Sequence, residues 1–169
     1  MTVKDVATNP EDVAEAFLAA GRTLMGMAIA SVGSAPVDVT MVQFRVLVLL
    51  ADEGERTVGE IGEELGVNAS NATRHCDRLQ KLGLLRRRRS TTDGRVVRVA
   101  LTAAGHRLVD EVNAQRRAEV LRVLERMPVR EQVGAVRALA AFNEAAHEDG
   151  GGEWVASQEV SPPGPARTP

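Results

Sequence analysis

Apolar positions recur at helical spacing through most of the chain, and cap residues divide that pattern into elements. Asn9-Pro10-Glu11-Asp12 reads as a helix start, with Asn at the N-cap, Pro at the first helical position and acids in the first turn. Val13, Phe17, Ala20, Leu24, Met27 and Ala28 follow at helical spacing, so this helix should run to about Ser31, ahead of Gly33 and Pro36. Its many small residues let another helix approach closely. Thr40 and Gln43 form a Thr-x-x-Gln capping box. The run Phe44 to Ala51 behind it is apolar nearly all round, which predicts a buried helix ending at Gly54.

Thr57 and Glu60 repeat the capping box, Ile61 and Leu65 supply a short stripe, and Gly66 closes the helix after about two turns. Asn68 then caps a new helix with Asn71 at its third position. Ala72, Cys76 and Leu79 lie on one face of it, Leu82 continues that face, and Gly83 with Leu84 forms a glycine stop. A short helix and a longer polar one meeting across Gly66-Val67 is a helix-turn-helix arrangement. The period then changes. Leu84 to Ser90 and Arg95 to Leu101 are strand-like, and Thr91-Thr92-Asp93-Gly94 between them suits a hairpin turn, so the segment reads as a basic β-hairpin wing. Thr102 caps a long helix from about Ala103 to Met127, with Leu108, Val112, Val120, Leu121 and Leu124 as its stripe. Pro128 breaks it and opens a last helix lined by Val133, Val136, Leu139, Ala140 and Phe142. Beyond Asp149 the chain is rich in Gly and Pro and weakly hydrophobic, which predicts a disordered tail in which Trp154 can dock locally.

Composition narrows the picture. The 169 residues suffice for one domain with an added dimer arm, and 44% hydrophobic with 26% charged residues is ordinary for a globular chain. The aromatics are Phe17, Phe44, Phe142 and Trp154, with no Tyr, so the core is aliphatic and a base-stacking platform is excluded. One cysteine cannot form an internal disulfide. Residues 1–10 carry Lys4, Asp5 and Pro10 without an apolar core, unlike a signal peptide. The longest unbroken apolar run, Val46 to Ala51, is six residues, against roughly 20 for a membrane span. The expectation is a soluble, cytoplasmic protein without a membrane partner. Arg outnumbers Lys 19 to 2, no more than a hint of a GC-rich, bacterial coding genome.

The net charge of −2 argues against a polyanion partner, but its distribution argues for one. Arg74, Arg78, Lys81, Arg86, Arg87, Arg88, Arg89, Arg95 and Arg98 are opposed within their segment only by Asp77 and Asp93, a net +7 in 25 residues. The other 144 residues carry 12 basic and 21 acidic side chains, a net −9. A compact basic face on an acidic body is the electrostatic footprint of a nucleic-acid binder. The bland alternative is a solvated basic face with no partner.

The order of these elements resembles the MarR family of winged helix-turn-helix regulators. Asp93-Gly94-Arg95 followed by Leu101-Thr102-Ala103-Ala104-Gly105 is similar to the family's Asp-x-Arg wing tip and Leu-Thr-x-x-Gly sequence. Arg78-Leu79-x-x-Leu82-Gly83-Leu84 resembles the end of its recognition helix. The resemblance implies a mostly α (α+β) fold: a winged helix-turn-helix domain with a helical dimerisation body, paired as a two-fold homodimer. Residues 1–9 would form an arm and 10–147 the domain. Within it 10–36 and 102–147 would be dimerisation helices, and 40–101 the DNA-binding lobe with its wing at 84–101. Residues 148–169 would be the tail. It further implies recognition helices in successive major grooves of an inverted repeat, wings in the flanking minor grooves, and repression relieved by a small acidic or aromatic effector or by oxidation. That effector would sit in a crevice drawing on the first, second and fifth helices; the shortage of aromatics points to an aliphatic pocket there or to none, with regulation then resting on ligand-free competition or protein level.

The candidate DNA-binding residues are Asn68, Ser70, Asn71, Thr73, Arg74, Arg78, Arg88, Asp93 and Arg95. Those on the Asn68 helix lie opposite its apolar stripe and are of types that contact phosphates and base edges. The Asp93 spacing lets its carboxylate brace Arg95 across the turn, and a braced Arg suits a narrow, electronegative minor groove. Arg86 to Arg89 alternate faces along a strand, so one pair faces DNA and the other solvent. Cys76 invites an oxidation-sensor reading, which its place on the apolar stripe opposes. His75, His106 and His147 lack metal-ligand spacing, no cofactor motif or enzyme signature is found, and the Asn-x-Ser/Thr matches at Asn68 and Asn71 are coincidental without secretion. The rivals are a redox regulator acting through Cys76 and a winged-helix interaction module that does not bind DNA. The basic segment opposes the latter.

Overall fold

The computed structural model describes residues 9–89 and 96–148. Among the described residues six helices and three short strands follow in chain order: α1 (Pro10–Gly33), α2 (Met41–Glu53), β1 (Arg56–Thr57), α3 (Val58–Leu65), α4 (Ala69–Lys81), β2 (Leu85–Arg89), β3 (Val97–Leu101), α5 (Ala103–Leu124) and α6 (Val129–Glu148). The mostly helical fold with a small antiparallel sheet is the one the sequence predicts.

The caps sit where the sequence places them. Asn9, Thr40, Thr57, Asn68 and Thr102 each accept a backbone N–H of the first turn, and Thr40/Gln43 and Thr57/Glu60 close complete capping boxes. Gly66 ends α3 in the left-handed region at φ +64°, which lets the chain turn from α3 into α4 within three residues. Boundaries shift by a turn or less. α1 runs to Gly33 rather than Ser31, and α5 ends at Leu124, with Glu125 to Met127 in a turn ahead of Pro128.

One strand escapes the sequence pattern. Arg56–Thr57 forms β1, which pairs antiparallel with β3 in the register Arg56↔Val99 and Thr57↔Arg98. The sheet order is β1-β3-β2, so the hairpin is a three-stranded sheet anchored on the segment between α2 and α3. Two residues are too few to show alternation, and both are polar.

The core is a single cluster running from Val32 through α2, α3, α4 and the sheet to Val112. Phe44, Leu47, Ile61, Leu79 and Val46 are its largest fully buried side chains, aliphatic apart from one ring. The outer helices behave differently. Val13, Leu18, Leu24, Met25 and Ile29 of α1, Leu121 and Val123 of α5, and Val129, Val133, Val136, Leu139 and Phe142 of α6 are exposed in the single chain. The stripes of α5 and α6 thus leave the core after Val112, and Phe142 touches the rest of the chain by stacking on Phe17 at 4.6 Å between ring centroids. By length and composition alone α1 is apolar enough to cross a membrane, a property that its longest unbroken apolar run understates.

Candidate nucleic-acid interface

α4 presents the face the sequence assigns to it. Ala72, Cys76 and Leu79 are buried, Asn68, Ser70, Thr73, Arg74 and Arg78 are exposed, and Asn71 is half-buried. Asn68 is committed to the cap, its Oδ1 accepting the Asn71 N–H at 2.9 Å, and Thr73 Oγ1 donates to the Ala69 carbonyl at 2.8 Å. Arg74 Nη2 donates to Asn71 Oδ1, which holds the guanidinium along the exposed face. Arg78 lies 3.9 Å from the fully exposed Asp38 carboxylate, a weak tether that leaves its charge to solvent. These side chains form one polar, cationic surface one helix long.

The four consecutive arginines of β2 divide by face. The register pairs Arg86 with Ala100 and Arg88 with Arg98, while Leu85 and Arg87 alternate onto the face of the buried Val99 and Leu101. Arg87 reaches back to α4, where it pairs with Asp77, tying the wing strand to the helix it flanks. Arg88 Nη1 lies 3.2 Å from Glu55 Oε1, and Arg98 Nη1 donates to the Glu55 carbonyl at 3.3 Å. Each face therefore gives one arginine a carboxylate, and solvent alone receives neither Arg87 nor Arg88. Asp93 and Arg95 lie outside the described residues, and with them the proposed brace at the wing tip.

Sequence reasoning missed Asp77, Glu55 and Arg98 as participants. Asp77 and Arg98 entered only the charge count, and Glu55 precedes a strand that was not foreseen. The hairpin register, once known, was the signal for Arg98.

The thiol of Cys76 is 1% exposed, and burial pushes it up to about 11, with the Arg87 charge opposing and Asp77 reinforcing that rise. Such a thiol stays protonated and packs as a core side chain. A second cationic position lies between the outer helices and the lobe. Arg116 of α5 sits 5.9 Å from the Phe44 ring centroid and 3.5 Å from Ser31 Oγ, and burial lowers its guanidinium from its ordinary value. No cluster of metal-ligating side chains occurs among the described residues.

A sequence profile described as the MarR family matches residues 37–96. The HTH-type transcriptional repressor MdtR of Bacillus subtilis is 35% identical over 111 residues, 66% of this chain and 72% of that one. The chain belongs to the MarR family. The crystal structure of RV1404 from Mycobacterium tuberculosis superposes with a TM-score of 0.76 at 34% identity, covering 86% of this MarR-family chain and 97% of that protein. Streptococcus pneumoniae FabT, whose structure was solved in complex with DNA, shares the MarR fold at a TM-score of 0.68 with 17% identity, over 83% and 99% of the two chains. The curated relatives of this MarR-family protein carry regulator or repressor names rather than enzyme names.

Proposed function

We propose that the protein is a cytoplasmic, homodimeric transcriptional regulator that represses by occupying an inverted-repeat operator. The observation that carries this reading is the exposed polar and cationic face of α4 beside a wing of consecutive arginines, on a chain whose remainder is acidic. In the dimer each α4 enters a major groove and each wing reaches a flanking minor groove. Ser70, Asn71, Thr73, Arg74 and Arg78 act in the major groove. Asp93 and Arg95 act at the wing tip. The repressor name of the MdtR relative and the FabT complex with DNA support this assignment.

Homodimerisation is supported by the exposed apolar faces of α1, α5 and α6, which a second copy covers. The same burial accounts for the apolar length of α1 without a membrane. A small-molecule effector acts from the crevice between α1, α2 and α5, where Arg116 supplies a desolvated cation over Phe44.

The test is selection of sheared DNA from the source organism on purified protein, with an Arg74→Ala/Arg95→Ala double variant as control. Enrichment of a pseudo-palindrome by wild type and its loss in the variant is the expected result. Equal enrichment by both, or none by either, rejects the reading and leaves non-specific binding or an interaction module as the better account. Affinity for the recovered site falls steeply with salt, because arginines on phosphates release counterions.

A further inference from the structure

β2 is an edge strand of the sheet, hydrogen-bonded on one side only, so its placement depends on β3 and on side-chain ties. Within that hairpin Arg88 and Arg98 stand directly opposite each other. Like charges in that position repel and open a hairpin unless something lies between them. Glu55 supplies it. Its carboxylate takes Arg88 at 3.2 Å and its main-chain carbonyl takes Arg98 at 3.3 Å. The position of Glu55 is itself fixed. Gly54 before it adopts φ +79°, a conformation that favours glycine, and Arg56 after it is locked in register with Val99 and held by Glu53 at 2.8 Å. A carboxylate beside a DNA-facing surface repels phosphate, so its presence here is accounted for by what it holds.

We propose that Glu55 is a positioning residue for the wing, and that Arg88 braces the hairpin through it instead of contacting DNA. This revises the role expected of Arg88 from the sequence, and it rests on the DNA-binding reading above. Arg87, paired with Asp77 on the opposite face, completes a root held on both sides.

The experiment compares wild type, Glu55→Gln, Arg88→Ala and the charge reversal Glu55→Arg/Arg88→Glu in the full chain. Each is titrated with two duplexes across a salt series: the inverted repeat that wild type selects and a scrambled duplex of equal length. Glu55→Gln and Arg88→Ala are expected to lower the ratio of specific to non-specific affinity roughly two- to fivefold, the scale of losing a partly exposed ion pair. Arg88→Ala is expected to leave the slope of log affinity against log salt unchanged, and the reversal to recover the ratio. A slope flatter by about one unit in Arg88→Ala marks a lost phosphate contact and overturns the proposal. So does a Glu55→Gln protein that binds both duplexes equally well or equally tighter, the behaviour of an acid that only repels DNA. Amide hydrogen exchange in β2 and β3 provides the readout without DNA. Faster exchange in Glu55→Gln is expected, and unchanged protection overturns the brace. If wild type selects no duplex, the DNA-binding reading falls, and the exchange comparison still decides the brace.

Discussion

A side chain at position 105 has nowhere to go. A Cβ built on Gly105 meets the Leu84 carbonyl oxygen at 2.4 Å and Leu101 Cδ2 at 2.9 Å, because the first turn of α5 presses directly on the base of the wing. The glycine is there for close approach of backbone to backbone, and its dihedral angles are not unusual. Gly105→Ala should therefore destabilise the protein by about 1–3 kcal/mol, as overpacking does, read as a lower urea midpoint at unchanged slope. A midpoint equal to wild type would show that α5 can move off the hairpin. The same logic of burial applies to Cys76. With its thiol raised to about 11, it should resist iodoacetamide at pH 8 while the protein is folded and react readily in urea. Peroxide should leave DNA binding of wild type and Cys76→Ser alike. Peroxide release of wild type that is lost in Cys76→Ser would reinstate the redox switch.

At the scale of elements, the capping boxes give the sharpest expectations. Glu60 accepts the Thr57 N–H at 2.6 Å, and this bond, with the Thr57 side chain and the nearby Arg98 and Arg56 charges, holds its carboxyl below the ordinary carboxylate range. A lowered folded value means stability that is complete above the ordinary range and fades as pH falls through the lowered value. Glu60→Gln keeps a capping residue and removes the titration, so its stability should lose that acid limb. A wild-type acid limb that persists in the variant would place the effect elsewhere. Asn68→Ala should cost about 1 kcal/mol of stability, measured by thermal unfolding, since Asn71 N–H loses its acceptor. Most of these elements were legible because caps and stripes are local: Asn68, Thr57, Gly66 and the Ala72, Cys76, Leu79 face all lie within one helical turn of what they specify. β1 was not, because Arg56 and Thr57 become a strand only through Val99 and Arg98, some forty residues away in sequence. For the same reason the partners of Arg87 and Arg88 were invisible, although their alternation was not. Asp77 and Glu55 reach them across the fold, and no local spacing encodes that.

At the scale of the molecule, the core stops early, and the proposed homodimer follows from where it stops. Its buried cluster ends at Val112, so the second half of α5 and all of α6 contribute nothing to it. Yet α6 carries Val129, Val133, Val136, Leu139 and Phe142, apolar residues that leave half or more of their surface to water or close to it. Among the described residues this twenty-residue helix is tied by the stack on Phe17 and by Gln132 Nε2 donating to the Leu124 and Met127 carbonyls, and these ties leave its apolar face open. In the proposed homodimer a second copy brings the same two faces of α1 and α6, which is the self-complementarity a two-fold interface requires. Because none of these side chains enters the core, Val136→Glu/Leu139→Glu should break the pairing without unfolding the lobe. Light scattering should report a monomer, and circular dichroism should keep the signal of α2 to α4. DNA binding should fall far more than for one lost contact, since two half-sites held by one body become two independent weak encounters. A double variant that stays dimeric would remove α6 from the interface. A monomer that still binds the inverted repeat with wild-type affinity would mean that one lobe reads the operator alone, and the two-fold reading of the site would fail with it.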